Sequence, residues 1–265
     1  MTIDRTALLE AMAVAAREAG EAILEVYATD FAVIDKSDSS PVTEADHRAE
    51  AIILAALAKA APGIPVVAEE EVAAGRCPDV DHSFFLVDPL DGTREFVERR
   101  GDFTVNIALV EHRAPTLGVV LAPIEGRLFA GDVATGTAWE DKGGQRRPIH
   151  VRPAPDRLIA VASRSHGSPE TEAYLATLPI AERVSRGSSL KLCLLACGEA
   201  DIYPRLGPTH EWDIAAGDAV LRAAGGRLLD ATGKPMPYGK PRFYNPGFLG
   251  LGGGVSAPVI GPFLQ

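Results

Sequence analysis

Residues 88–93 read Asp-Pro-Leu-Asp-Gly-Thr, and these are the residues whose types and spacing could do chemistry. Asp88 and Asp91 stand three apart on a turn stiffened by Pro89, which has a fixed φ and no N–H. On such a turn two carboxylates can converge on one point, with the Leu90 carbonyl aimed the same way. An all-oxygen cluster of this kind suits a hard cation such as Mg2+. Gly92 lets a backbone N–H come close to an anion, and Thr93 places a hydroxyl beside it. The same composition also makes an ordinary turn, so the run needs partners from elsewhere in the chain.

Candidate partners are acids that end or flank apolar elements. Glu69 and Glu70 follow the apolar run 64–67, with Glu71 after them. Three consecutive acids repel one another unless a cation neutralises them, although a solvated acidic loop is the commoner fate of such a run. Asp46 falls in the first turn of an expected helix, and Asp213 follows Trp212 at the start of an alanine-rich one. Acids there also complement the helix macrodipole, so Asp46 and Asp213 have a purely structural use as well. Taken together, several acids, a backbone carbonyl, a glycine amide and a threonine are what two-metal phosphate hydrolysis requires. No histidine–cysteine cluster has zinc spacing, which favours Mg2+ or Mn2+. Among the basic residues, Lys191, just inside a helix start at Ser188–Ser189, combines a cation with helix N-terminal amides, and Arg205, at a strand end, could grip a phosphate bidentately. His166, in a loop after a strand, could contact a bound substrate or serve as an ordinary polar loop residue.

The elements that must position these residues follow from periodicity. Leu8, Met12, Ala15, Ala19, Ile23 and Val26 repeat at helical spacing over 6–27, and Thr43 reads as the N-cap of a helix over 44–60. A short strand at 64–67 leads into the acids, and residues 72–82 read as a loop. The strand 84–87 is expected to stop at Asp88–Pro89. Strands at 105–110, 117–122, 127–131 and 137–140 suggest an antiparallel meander. The polar stretch 141–157, with Gly143, Gly144, Pro148, Pro153 and Pro155, is the best internal boundary. Beyond it strands at 158–162, 183–185, 201–203 and 227–230 alternate with helices at 169–178, 189–197 and 213–224, which points to an α/β layer. The expected division is an α+β subdomain over 1–145 with most of the acids, an α/β subdomain over 156–250 with Asp213 and the specificity residues, and a loosely held tail over 251–265.

The 265 residues suffice for a sizeable core, and 46% hydrophobic with 23% charged residues is ordinary for a globular protein. A net charge of −10 argues against a nucleic-acid binder. It does not exclude a small anion, because bound metal ions reverse the local sign. Cys77, Cys193 and Cys197 are odd in number and form no CxxC pair, so no disulfide framework and a reducing cytoplasm are expected, with the chain free or peripheral to the inner membrane. Cys193 and Cys197, four apart, read as packing residues. No stretch of 18 apolar residues is present, and the first residues do not read as a signal peptide.

The chain resembles the lithium-sensitive, Mg2+-dependent phosphatases of the inositol monophosphatase superfamily. Thr43–Glu44–Ala45–Asp46, Glu69–Glu70, Asp88 to Thr93 and Trp212–Asp213–Ile214–Ala215–Ala216–Gly217 carry the likeness, in that order and over residues 5–250. Lys36 to Thr43, Thr93–Arg94–Glu95–Phe96, Ser163–Arg164–Ser165–His166, Gly187 to Lys191, Tyr203 to Thr209 and Asn245–Pro246–Gly247 narrow it to the CysQ type of 3'(2'),5'-bisphosphate nucleotidase. Ala68 departs from the serine common before the acidic pair. The resemblance implies an α-β-α-β-α layered α/β fold. It implies a substrate, adenosine 3',5'-bisphosphate, that loses its 3'-phosphate to give AMP, so clearing a by-product of sulfate assimilation. It implies two or three Mg2+ ions, with Mn2+ an alternative. Glu69, Asp88 and the Leu90 carbonyl would hold one ion, and Asp88, Asp91 and Asp213 a second. Asp46, Glu70 and Thr93 would act on the attacking water, and Gly92 and Thr93 amides would cradle the phosphate. Substrate contacts would come from Glu69, Leu90, Asp91, Gly92, Thr93, His166, Ser188, Lys191, Arg205 and Asp213, in a monomer or homodimer. An inositol or sugar phosphatase shares every metal ligand, and a non-catalytic nucleotide- or metal-binding regulator is the alternative from another class.

Overall fold

The computed structural model describes residues 4–35, 41–163 and 168–264. His166, with the motif residues Lys36–Ser40, Arg164 and Ser165, lies outside them. Helices are α1 (Arg5–Tyr27), α2 (Glu44–Ala60), α3 (Glu69–Ala73), α4 (Thr93–Val97), α5 (Pro169–Leu175), α6 (Leu190–Ala196) and α7 (Glu211–Ala223). Strands in the first half are β1 (Ile34–Asp35), β2 (Pro41–Val42), β3 (Val66–Ala68), β4 (Ser83–Asp91), β5 (Thr104–Glu111), β6 (Ala114–Ala122), β7 (Arg127–Asp132), β8 (Thr137–Lys142) and β9 (Gln145–Pro148). The second half has β10 (Leu158–Ser163), β11 (Ile180–Arg186), β12 (Ile202–Arg205), β13 (Thr209–His210), β14 (Arg227–Leu229), β15 (Tyr244–Asn245) and β16 (Phe248–Leu251).

A seven-stranded sheet runs in the order β3-β4-β5-β6-β7-β8-β9, antiparallel throughout except that β3 lies parallel to β4. Its two faces follow from side-chain alternation in β4. Phe85 and Val87 point to a core shared with Leu8, Met12, Ile23, Ile53 and Leu57 of α1 and α2. Phe84 and Leu86 point the other way, to a core with Leu192, Leu195, Trp212 and Val220 of α6 and α7. A five-stranded sheet, ordered β11-β10-β12-β16-β14, closes that second core, and Tyr174 and Leu175 of α5 cover its outer face. The layers are therefore α-β-α-β-α, the arrangement that the resemblance implies. Helix α7 lies directly on the large sheet because Gly118 of β6 leaves the room: a Cβ there would stand 2.4 Å from the Ala216 carbonyl oxygen. Among the described residues no helix is long and apolar enough to cross a membrane.

Four sequence expectations change. Pro89 does not stop the strand: β4 continues to Asp91 through a bulge between Asp88 and Asp91, since a bulge tolerates the missing N–H. The acids Glu69–Glu71 open the one-turn helix α3 rather than a loop. The polar stretch 141–157 contributes an edge strand, β9, with all four residues exposed. The tail is held, not loose. Val255 and Ile260 are buried, Arg227 Nη2 donates to the Val255 carbonyl at 2.6 Å, and the Tyr174 hydroxyl donates to the Pro258 carbonyl at 2.7 Å.

Candidate active site

The two sheets and the helices between them leave a cavity of about 620 Å3. Glu69, Asp88, Leu90, Asp91, Gly92, Thr93, Ser188, Lys191, Arg205 and Asp213 all line it. The fold thus gathers ten of the residues singled out in the sequence. Asp46 and Glu70 are buried and do not line the cavity.

Local chemistry fixes each carboxylate. The bulge lets Asp88 Oδ1 accept the Leu90 N–H at 3.1 Å, which holds the peptide between the two aspartates. Gly92 follows at φ +92°, a left-handed conformation that a side chain would oppose, and it turns the chain into α4. Asp46 and Asp213 occupy equivalent places in capping boxes at the starts of α2 and α7. Asp46 Oδ2 accepts the Thr43 N–H and hydroxyl, each at 2.8 Å, and Asp213 Oδ2 accepts the His210 N–H at 2.8 Å. The structural use of these acids and their placement near the cavity coincide. Asp46 reaches the cavity through Thr93, whose hydroxyl lies 3.3 Å from Asp46 Oδ1 and 3.1 Å from the Leu90 carbonyl oxygen.

The acids strain one another. Asp91 and Asp213 are only half-buried, yet both are set deep among protein atoms. Burial raises the Asp91 carboxyl to about 6 despite Lys191 and the Ser189 N–H, with Glu95 and Glu69 adding repulsion. Burial also raises Asp213 well above the ordinary carboxylate value, reinforced by Asp91 and Glu69. Among the described residues no three acidic or imidazole side chains stand in a ready-made metal cage. The donor set nevertheless fits a hard divalent cation, because carboxylates and a carbonyl converge on one cavity, and Lys191 and Arg205 only partly offset the charge of Asp91 and Asp213.

The cavity also has cationic, incompletely bonded groups beside the acids. Burial lowers the Lys191 ammonium to about 8, although Asp91 favours its charge. Its Nζ donates to the Ser188 carbonyl at 2.5 Å and lies 5.3 Å from the Tyr203 ring centre. Arg205 Nη2 donates to the Pro208 carbonyl at 3.0 Å. Ser188 Oγ and Arg205 Nε are buried and have no hydrogen-bond partner among the described residues. Ser188 also has φ +48°, a strained value for a residue with a side chain.

Sequence reading missed four kinds of contributor. Glu50 accepts the Glu70 N–H at 2.9 Å, and burial raises its carboxyl to about 7. Its place four residues after Asp46, on the same helix face, was an available signal. Ser189 donates from its backbone to Asp91 Oδ2 at 2.7 Å and from Oγ to the Asp213 carbonyl at 2.5 Å. Asp102 accepts the Gly187 N–H at 3.1 Å, and nothing in the sequence marks it. His210, Trp212 and Tyr244 add an aromatic wall.

Comparison with known proteins agrees with this geometry. The 3'(2'),5'-bisphosphate nucleotidase CysQ of Escherichia coli O157:H7 is 46% identical over 245 residues, 91% of this chain and 98% of that protein. The protein of the same name from Buchnera aphidicola is 40% identical over 247 residues, 91% of this chain and 92% of its own. A crystal structure of CysQ from Bacteroides thetaiotaomicron, described as a bacterial member of the inositol monophosphatase family, superposes with a TM-score of 0.79 at 38% identity, over 92% of this chain and 96% of that one. A model of the inositol monophosphatase family matches residues 4–251, a span that takes in every acid of the cavity, and the chain belongs to that family.

Proposed function

We propose that this protein is a Mg2+-dependent 3'(2'),5'-bisphosphate nucleotidase that hydrolyses the 3'-phosphate of adenosine 3',5'-bisphosphate to AMP and inorganic phosphate. One observation carries the reading: a single cavity places the Glu69–Asp88–Asp91–Asp213 acids beside the cations Lys191 and Arg205. That pairing suits a substrate with two phosphates, one for the metal end and one for the cationic end. The relatives named CysQ support the same substrate.

Glu69, Asp88, the Leu90 carbonyl, Asp91 and Asp213 would hold two Mg2+ ions, with Mn2+ as a substitute and a third ion near Asp46 and Glu70. When bound, the ions supply Lewis acidity and positive charge to the scissile phosphate. The chain's own groups do the rest. The Thr93 hydroxyl hydrogen is committed to Asp46 or the Leu90 carbonyl, so its lone pairs accept a hydrogen bond from water. Asp46 behind it stabilises the proton that moves as water attacks phosphorus, and Glu70 is the second acceptor. Gly92 and Thr93 amides, at the first turn of α4, hold oxygens of the transferred phosphoryl group. Ser188 Oγ, Lys191 and Arg205 Nε hold the 5'-phosphate, which gives the two orphaned donors a partner. His166 is assigned to the ribose or base side.

The protein is read as cytoplasmic, a monomer or homodimer, and inhibited by Li+. Its three cysteines are free thiols, which supports a reducing compartment. A substrate panel scored by released phosphate tests the function. Fast turnover of adenosine 3',5'-bisphosphate, slow turnover of inositol 1-phosphate and loss of both with EDTA are expected. Equal or faster turnover of inositol 1-phosphate or fructose 1,6-bisphosphate would overturn the nucleotide assignment and keep the phosphatase.

A further inference from the structure

The cavity has a third chemical surface, neither acidic nor cationic. His210 and Trp212 stack with ring centres 4.6 Å apart and planes inclined by 10°. Trp212 is buried beneath, while His210 is exposed above it. Tyr244 meets His210 edge-on with centres 6.4 Å apart, and 42% of it is exposed. All three side chains line the cavity.

The backbone is built to put them there. β13 and β15 are two-residue strands whose antiparallel register sets His210 directly opposite Tyr244. The chain enters β15 through Arg242 at φ +57° and Phe243 at φ +51°, two consecutive residues with side chains in the left-handed region. Strain of that kind persists only where surrounding packing imposes it, and it clusters at ligand sites. Here Phe243 is the anchor: it is buried, with its ring 6.1 Å from both Phe84 and Trp212. The next residue, Tyr244, opens β15 and lies at the cavity rim. The wall also touches the acid cluster, because the His210 N–H is the donor bonded to Asp213.

We infer that His210 and Tyr244, their ring planes inclined by 78°, form a corner-shaped platform for the aromatic base of the nucleotide, one ring stacking on its face and the other meeting its edge, and that this platform is the element by which the enzyme prefers a nucleoside bisphosphate to a base-free sugar bisphosphate. The inference rests on the proposed bisphosphate nucleotidase activity and adds the base-recognition surface to it. Exposed aromatic faces beside a charged groove bind nucleobases by stacking, without hydrogen-bond readout and so with tolerance of base identity. The buried Trp212 ring beneath His210 keeps the imidazole plane fixed.

The test compares adenosine 3',5'-bisphosphate with 1-deoxyribose 3,5-bisphosphate, which has both phosphates and no base, using the Mg2+-loaded enzyme. Tyr244→Ala should lose about tenfold more kcat/KM on the nucleotide than on the base-free compound, the scale of one stacked base. The loss should fall in KM rather than kcat, and Tyr244→Phe should restore most of it. Equal losses on the two compounds, or none on the nucleotide, would overturn the platform while leaving the nucleotidase in place. A wild-type enzyme that turns over neither bisphosphate sinks the parent reading and this one with it. A second measurement does not depend on that variant. In a Trp139→Phe protein, which retains Trp212 alone of the two tryptophans, AMP should change the indole fluorescence and ribose 5-phosphate should not. An identical response to both ligands refutes stacking over Trp212.

Discussion

The backbone N–H of Ser189 donates to the carboxylate of Asp91 at 2.7 Å, across 98 residues of sequence. The bond joins the bulge that ends β4 to the turn that opens α6, and so fixes the acidic end of the cavity against the cationic end. Asp91→Asn keeps an oxygen acceptor for that N–H while removing the charge. Its kcat should fall about a thousandfold or more, because the proposed metal ligand is neutralised, with the melting temperature held or raised. Near-normal phosphate release in this variant would refute the metal-site reading.

Asp91 and Asp213 tie metal binding to pH. Their folded-state values lie above the ordinary carboxylate value, Asp91 at about 6. The metal-free folded protein therefore takes up protons more readily than the unfolded chain, and its stability declines as pH rises toward and through 6. On the proposed metal-site reading, Mg2+ would replace those protons. Thermal melts with MgCl2 and with EDTA should diverge progressively from pH 5.5 to 8, with the Mg2+-induced rise largest at high pH. A constant difference over that range would be incompatible with the acids being the ligands.

Gly187 packs against Asp102 with no room for a side chain. A Cβ at Gly187 would stand 2.5 Å from the Asp102 carbonyl oxygen and 2.8 Å from its Cβ. Gly187→Ala must displace the turn that carries Ser188 and Lys191, at a cost of about 1–3 kcal/mol. Its KM for the bisphosphate should rise more than its kcat falls, measured on the folded fraction. A KM unchanged within error would show that the turn does not set substrate affinity.

Asp201 is a structural charge rather than a site residue. It is 1% exposed and accepts Arg152 Nε and Nη2 at 2.7 and 2.6 Å and the Ile159 N–H at 2.7 Å. Asp201→Ala leaves the partly exposed Arg152 guanidinium and the Ile159 N–H without their acceptor and should cost about 1–3 kcal/mol, lowering Tm by roughly 2–12 °C. Scanning calorimetry checks this. Activity per folded molecule at 20 °C should survive, since Asp201 does not line the cavity.

The sequence marked the site better than it marked the backbone around it. Asp88, Asp91 and Asp213 were legible because acids beside apolar runs are unusual, and the apolar run Phe84 to Val87 read as a buried strand. Pro89 misled, since a bulge accepts a proline that a regular ladder would not. The tail misled too: glycine and proline over 251–265 read as loose chain, yet Val255 and Ile260 are buried and the Val255 and Pro258 carbonyls accept from Arg227 and Tyr174. Composition describes local freedom and says nothing of distant side chains that the segment covers.

By itself the sequence determined the kind of chemistry: hard oxygen donors in a set order, two cations downstream, and no zinc ligands. It also determined where α2 starts, since Thr43 is a local N-cap, whereas α7 starts at Glu211, two residues before the expected 213. Only the tertiary structure decided that Thr93 relays Asp46 to the cavity, that Asp102 and Ser189 hold the specificity turn, and that His210 faces Tyr244. Those relationships span tens to about a hundred residues and depend on how two sheets stack around α6 and α7. The raised carboxyl values of Asp91 and Asp213 have the same origin, because burial and crowding of like charge exist only once the chain has closed around them.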